Sequence, residues 1–213
     1  MEFFRLLEKV SDEPVFETSL LIAGDVNPAA LHLQLSRWEK DGKIIQLRRG
    51  LYALAPAVQK KKPHPFLIAN RLQPASYISL QSALSHYGLI PDYVLETTSV
   101  TTVRPRTWQT QLGIFTYRNI KRSWFHSYQL IEITNGQNSL VANPEKALLD
   151  LIYLEAGGDS LEYLQELRLQ NTEILDLDKI GSLARRSNKP KFIRAYRNLC
   201  KILNEEKGMY QTL

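Results

Sequence analysis

A tight hairpin with a basic tip is the feature that most constrains how this chain folds. In the stretch GKIIQLRRGLYAL, residues 42–54, two short apolar runs flank the tripeptide Arg48-Arg49-Gly50. Glycine adopts the positive φ that such a turn demands at no steric cost, so Gly50 suits the tip. The pattern predicts two antiparallel strands, because parallel strands need a much longer connection.

The segment directly before this hairpin predicts a helix with a well-defined beginning. Asn27 suits the N-cap position, because its side chain accepts a hydrogen bond from a free backbone N–H, and Pro28 suits the first helical position. The apolar stripe of this helix consists of Leu31, Leu35 and Trp38, at i, i+4 and i+7. Two shorter helices, over about residues 2–10 and 16–23, precede it and offer a surface on which the stripe packs.

The opposite face of this helix carries small, polar and basic side chains. Base edges in a DNA major groove require short hydrogen-bonding side chains, and phosphates require cations. The predicted DNA contacts on this helix are Asn27, Ala29, His32, Leu33, Gln34, Ser36, Arg37 and Lys40. An ordinary solvated helix face is the alternative.

Three helices followed by a basic-tipped hairpin predict a winged helix-turn-helix domain over residues 1–57. The third helix would read the DNA, and the hairpin would be the wing. Arg48 and Arg49 are then predicted to reach phosphate or a minor groove. A solvated hairpin tip is the alternative for both arginines.

Three sequence blocks resemble the AbiEi-type antitoxins, a family of abortive-infection regulators. The first block, LSRWEKDGKIIQLRRGLYAL, covers the end of the helix and the hairpin, and the others are YISLQSALSHYGLIP and ANPEKALLDLIYL. Together they bracket most of residues 27–154, and their order and spacing make the resemblance more specific than the winged-helix block alone. The last fifty residues carry no block of this kind.

The resemblance implies an antitoxin of a type IV toxin–antitoxin system, acting in phage defence. Such a protein represses transcription of its own operon and opposes a nucleotidyltransferase-like toxin encoded nearby. The expected partners are double-stranded promoter or operator DNA with inverted repeats and, functionally, the toxin, with or without direct contact.

Two rival functions belong to other classes. One is an interaction protein that neutralises the toxin by direct binding through the C-terminal domain. The other is an enzyme such as a nuclease, but the sequence contains no recognisable cluster of Asp, Glu and Lys at a known spacing. Glu145 and Asp150 are explained by helix chemistry, with Asn143 as N-cap, so we expect no enzyme.

A break in composition at about residues 56–65 separates the first domain from the rest. Prolines bracket three lysines there, and we predict that Lys60 and Lys61 contact DNA phosphates, with a solvated linker as the alternative. Beyond it, residues 64–213 alternate short helical and β-rich patterns and end in helices. The prediction for the whole chain is therefore α+β, with a mixed α/β C-terminal domain.

The positive charge is concentrated in the middle of the chain. Residues 56–126 contain nine Lys and Arg against two Asp and Glu, which suggests a polyanionic partner or a solvated basic surface. Aromatic residues alternate there with basic ones, a combination that suits nucleic acid, although the rings could simply fill the core. The predicted DNA contacts in this part are Arg104, Arg106, Arg118, Lys121 and Arg122.

Other classes of site and location are not indicated. One cysteine and four scattered histidines provide no zinc-site spacing, so no metal or cofactor is expected. The longest apolar runs are far shorter than a membrane span, and the start of the chain is amphipathic rather than signal-like. We therefore expect a cytoplasmic protein without membrane contact.

Overall fold

The computed structural model describes residues 2–22, 27–91 and 94–210, with side chains described up to residue 204. The first part of the chain folds into three helices and a small antiparallel sheet with the strand order β1-β3-β2. Its elements are α1 (Phe3–Val10), β1 (Phe16–Glu17), α2 (Thr18–Leu21), α3 (Pro28–Lys40), β2 (Ile44–Arg48) and β3 (Leu51–Leu54).

The helix α3 begins where the sequence predicts. The Asn27 side-chain oxygen accepts hydrogen bonds from the backbone N–H of Ala29 at 2.9 Å and of Ala30 at 3.3 Å. Leu31, Leu35 and Trp38 are buried, as their spacing predicts. The capping amide and the apolar stripe together explain both the start of this helix and the face that it packs inward.

The predicted second helix is only partly correct. Phe16 and Glu17 form the strand β1, and α2 covers only Thr18–Leu21; Ala23 lies outside the described residues. The Phe16 ring stacks on that of Tyr52 at 5.8 Å in the neighbouring strand. Pairing with a distant strand therefore overrides the local helical pattern.

The hairpin packs on both of its faces. Ile44, Tyr52 and Leu54 belong to a cluster with the buried residues of α1 and α3. The remaining buried hairpin residues, Ile45, Leu47, Leu51 and Ala53, join the larger core formed by the rest of the chain. The division into domains at residues 1–57 and 64–213 stays a prediction, but the hairpin contributes to the core on both sides of it.

The rest of the chain surrounds a six-stranded sheet with the strand order β6-β7-β5-β4-β9-β8. The β5–β7 and β4–β9 pairs are parallel, and the others are antiparallel. The strands are β4 (Ser76–Ile78), β5 (Glu96–Thr101), β6 (Arg106–Thr110), β7 (Gly113–Asn119), β8 (Tyr128–Thr134) and β9 (Gln137–Ala142). The helices are α4 (Pro65–Leu72), α5 (Leu80–His86), α6 (Pro144–Leu154), α7 (Leu161–Glu166), α8 (Leu177–Arg186) and α9 (Pro190–Tyr210), with short 3-10 helices at Arg122–Trp124 and Thr172–Ile174. The chain is α+β, as predicted.

Helices cover both faces of this sheet. The Tyr117 hydroxyl of β7 donates to the carbonyl of Ala69 in α4 at 2.6 Å, which places α4 against one face. On the other face, Tyr77 of β4 reaches Asp150 in α6. No helix within the described ranges is both long enough and apolar enough to cross a bilayer.

Three local features differ from the sequence prediction. The sequence predicts β-rich stretches at Thr97–Val103, Gly113–Tyr117 and Tyr128–Thr134 but not β6 or β9, because RTWQT and QNSLVA lack a clear alternation of apolar and polar residues. Asn143 precedes α6 but its side chain makes no capping hydrogen bond. Pro144 occupies the first helical turn, where its ring fits without loss of a hydrogen bond.

Candidate nucleic-acid interface

The outward face of α3 presents most of the predicted DNA contacts to solvent. His32, Ser36, Arg37 and Lys40 are exposed, and Leu33 is exposed to 56%. Gln34 lies half-buried at the flank of the helix. The face therefore combines hydrogen-bonding groups, an apolar side chain and two cations on one side of a helix whose other side is buried.

Asn27 and Ala29 lie at the exposed start of α3. The Asn27 side-chain oxygen is already used by the cap. Only its amide N–H groups are left for an outside contact, and these suit an acceptor such as a phosphate or a base oxygen. Ala29 is small enough to allow another surface to approach this end of the helix closely.

The two arginines at the hairpin tip have different surroundings. Gly50 adopts a φ of +81°, as the turn requires, and its carbonyl accepts from the Thr18 N–H at 2.9 Å. Arg48 is half-buried and donates to the carbonyls of Arg49 at 3.1 Å and Arg71 at 3.3 Å. Arg49 is exposed. Of the two, Arg49 is therefore the one whose guanidinium forms no hydrogen bond or ion pair with a described residue.

The linker lysines are both exposed. Lys60 lies 3.3 Å from the Asp12 carboxylate in an ion pair whose two side chains remain mostly in solvent. Such surface pairs contribute little free energy, so Lys60 can exchange this partner for a phosphate at small cost. Lys61 forms no ion pair with a described residue.

The five basic residues of the middle segment do not form one surface. Arg106 stands 4.8 Å over the Trp108 ring and lies opposite Tyr117 in the β6–β7 ladder. Because side chains alternate along a strand, Arg118 lies on the other face of the sheet. There it donates to the Glu155 carboxylate at 3.1 Å and the Leu154 carbonyl at 3.3 Å. The exposed members of this set are Arg104, Arg106, Lys121 and Arg122.

A buried charge network centred on Asp150 connects β4, the 3-10 helix at Arg122–Trp124 and α6. Its Oδ2 atom accepts from the hydroxyls of Tyr77 at 2.9 Å and Ser79 at 2.8 Å. Its Oδ1 atom accepts from the indole N–H of Trp124 at 2.9 Å and from the ammonium of Lys146. Four donors from three separate segments therefore satisfy this one carboxylate.

Burial opposes ionisation of both partners in this network. Burial raises the pKa of Asp150, while the Lys146 charge and the hydrogen-bond donors act in the opposite direction. Burial likewise lowers the pKa of Lys146, opposed by Asp150. Through Asp150 the pair joins β4 to α6. Neither side chain has exposed surface, so the pair does not meet a ligand from solvent.

Lys146, like Tyr77 and Ser79, is a member of this network that the sequence analysis does not single out. It lies in the apolar run of α6, four residues before Asp150. This spacing places opposite charges on one helix face, and it is the local signal that points to the pair. Glu145 is separate from the network: it is buried and pairs with Lys179 of α8 at 2.8 Å.

Metal ligation has no support in the part of the chain that the structure describes. No group of three or more His, Cys, Asp and Glu residues lies close enough together there to hold an ion.

No protein-family model matches this chain, and no curated protein matches it either. The candidate interface therefore depends on the geometry and charge of the residues above.

Proposed function

We propose that this chain is a sequence-specific DNA-binding protein that represses transcription, with α3 as its reading helix. The observation that carries the proposal is the division of α3 into two faces. Leu31, Leu35 and Trp38 anchor one face, while His32 and Arg37 remain exposed on the other. A helix held by one side and polar on the other is what major-groove recognition requires.

The neighbouring elements support a winged helix-turn-helix arrangement. Two helices precede α3, a hairpin follows it, and the short strand β1 pairs with β3 of that hairpin. Arg49 is exposed at the hairpin tip and supplies the wing with a cation. Proteins of this helix-turn-helix class place the second helix of the motif in the major groove.

The biological role in the proposal rests on the sequence resemblance alone. The blocks that resemble AbiEi-type antitoxins indicate a cytoplasmic antitoxin of a type IV system, opposing a nucleotidyltransferase-like toxin. Repression of the shared promoter connects this role to DNA binding. We expect the operator to contain inverted repeats, whose two half-sites would be occupied by two copies of the chain.

Fluorescence anisotropy with the DNA upstream of the gene tests the DNA-binding proposal. The comparison duplex has the same length and composition in scrambled order. We expect tighter binding to the upstream DNA, and we expect His32→Ala with Arg37→Ala to abolish that preference. Arg5→Ala, an exposed arginine on α1, is the matched control and should leave it intact. Equal affinity of the wild type for both duplexes would overturn the proposal.

The antitoxin role requires a nucleotidyltransferase-like toxin encoded beside this gene, and co-expression of the chain with that toxin tests the role. We expect the wild-type chain to restore growth and the variant deficient in DNA binding to lose repression of a promoter reporter. Growth restored by that variant, together with a stable complex on co-purification, would favour direct neutralisation of the toxin. Failure of the wild type to restore growth would contradict the antitoxin role without affecting the DNA-binding result.

A further inference from the structure

A small pocket with basic walls opens at the junction of three segments. The segment around the 3-10 helix Arg122–Trp124 contributes one wall, Tyr153 of α6 a second, and the stretch from the end of α8 to the residue before α9 a third. The cavity has a volume of about 160 Å³. The residues that matter for its chemistry, here called the basic pocket, are Lys121, Trp124, His126, Tyr153, Arg186 and Lys189.

The charge of the basic pocket is unbalanced. Three of its side chains are cationic, and no Asp or Glu from the described part of the chain lines it. Among the described residues, no carboxylate forms an ion pair with Lys121, Arg186 or Lys189. Arg118 and Arg194, by contrast, are paired with Glu155 and Asp159. Like charges gathered around a concave surface repel one another, and a bound anion removes that repulsion.

The aromatic walls of the basic pocket are held in place. The Trp124 indole donates to Asp150, and its ring stacks on Phe192 at 4.7 Å. The Lys189 ammonium stands 4.0 Å from the centre of the Tyr153 ring, a cation–π contact that holds it at the wall. Lys189 is thus positioned before any ligand arrives, which reduces the cost of ordering it on binding, whereas Lys121 and Arg186 are exposed.

The titration of His126 reports the electrostatic field in this place. Burial lowers the pKa of His126, and the positive charges of Lys146 and Arg186 lower it further, while Asp150 acts in the opposite direction. An anion bound beside the ring would favour the protonated form and raise this pKa. His126 therefore provides a direct readout of occupancy.

We propose that the basic pocket binds the phosphate group of a nucleotide or of a nucleic-acid strand. Its volume is below the range of about 300–1,000 Å³ that is typical of sites for whole organic ligands, and it suits a single phosphate group. A guanidinium and two ammonium groups match the several oxygens of a phosphate through charge-assisted hydrogen bonds. This site does not require α3 to read DNA.

Calorimetric titration of the full chain with inorganic phosphate, in a chloride buffer of low ionic strength, tests the site. We expect binding of one phosphate, and we expect Arg186→Gln to weaken it at least about tenfold. Arg185→Gln is the matched control, because it removes the same charge one residue away without lining the pocket. The His126 pKa, followed by NMR, should rise in the wild type when phosphate is added.

Two further experiments, a titration with a nucleoside monophosphate and a competition between phosphate and DNA, identify the source of the phosphate. If a nucleoside monophosphate binds with a dependence on Arg186 and does not compete with DNA, the ligand is a free nucleotide. If phosphate competes with DNA and Arg186→Gln weakens DNA binding while Arg185→Gln does not, the ligand is a nucleic-acid strand. Both results support the site.

Two outcomes would overturn this inference. One is the absence of phosphate binding and of any shift in the His126 pKa in the wild type. The other is equal weakening by Arg185→Gln and Arg186→Gln, which would show diffuse attraction to a basic surface. Neither outcome concerns the exposed face of α3, so this inference and the proposed function fail independently.

Discussion

The Arg48 guanidinium donates to the main-chain carbonyl of Arg71 at 3.3 Å and so ties the hairpin tip to α4. The same guanidinium lies 3.8 Å from the Glu17 carboxylate in β1. Arg49, its neighbour in the sequence, is exposed. Two adjacent arginines that look equivalent in the sequence therefore suit different roles: Arg48 is placed to stabilise the fold, and Arg49 is placed to meet a partner.

The first prediction separates these two roles. Arg49→Ala should reduce the slope of log affinity against log salt by about 0.9, because one phosphate contact is lost, and leave stability unchanged. Arg48→Ala should lower the free energy of unfolding by about 1–2 kcal/mol, since a charged donor to two carbonyls is removed from a partly exposed site. DNA titrations at several salt concentrations and urea denaturation measure the two effects. An unchanged slope for Arg49→Ala would show that the hairpin tip does not contact DNA.

The second prediction concerns base recognition by α3. Arg37→Ala should weaken binding to the operator by about 1–3 kcal/mol and flatten the preference over random DNA, because a good bidentate base contact contributes that much to discrimination. Affinities for both duplexes are measured at one salt concentration. Equal losses on the two duplexes would make Arg37 a phosphate contact only.

The third prediction concerns the basic residues of the middle segment. Arg104→Gln with Arg106→Gln should reduce the salt slope by roughly 1.8 if both contact phosphates. The full chain is required, because truncation after the hairpin would expose Ile45, Leu47, Leu51 and Ala53, which pack in the larger core. The matched control is Arg5→Gln with Lys9→Gln, two exposed cations on α1. An equal reduction of the salt slope in the control would show that the effect comes from the net charge of the protein and not from these two arginines.

The fourth prediction concerns the buried pair of Lys146 and Asp150. Either residue changed to Ala should cost about 3–5 kcal/mol of the free energy of unfolding, because its partner is left buried and uncompensated. The double variant should lose less than the sum of the two single losses, by about 1–3 kcal/mol. Chemical denaturation of all four proteins completes the cycle. Strict additivity would mean that the two charges do not stabilise each other.

The fifth prediction concerns pH and the start of α4. His64 Nδ1 accepts from the Phe66 N–H at 3.1 Å, which requires that nitrogen to be unprotonated. Burial, assisted by the nearby His86, lowers the pKa of His64 below its usual 6.5. Below pH 6.5 the unfolded chain therefore binds more protons than the folded one, and this group's contribution to stability is lost as the pH falls to the folded-state pKa.

Urea denaturation at pH 7.5, 6.5 and 5.5 measures this effect. The free energy of unfolding should fall on acidification, with this histidine contributing well below the limit of about 1.4 kcal/mol per pH unit, because the ring is only half-buried and solvent screens it. His64→Asn keeps an oxygen that can cap the helix but does not titrate, so its stability should depend less on pH over this range. An identical pH dependence in both proteins would contradict the assignment.

Some elements could be predicted from the sequence because their signals are local. The start of α3 depends on Asn27 and on the two residues that follow Pro28, all within one turn. The hairpin depends on two short apolar runs and on Gly50. In both cases the residues that determine the structure are close in sequence and contact each other. Periodicity and capping chemistry are therefore sufficient to predict these elements.

Other elements depend on partners far away in the chain, and these only the tertiary structure decided. Phe16 is in a strand because Tyr52 lies beside it, and β6 and β9 exist because neighbouring strands complete their hydrogen bonds. The candidate binding site likewise depends on residues that are distant in the chain. The basic pocket joins Lys121 and His126 to Arg186 and Lys189, which are about sixty residues further along. Sequence by itself determined which residues can carry charge or form a helix. Three-dimensional packing decided which charges are neutralised and which remain free to bind, because burial and pairing are properties of contacts between distant segments.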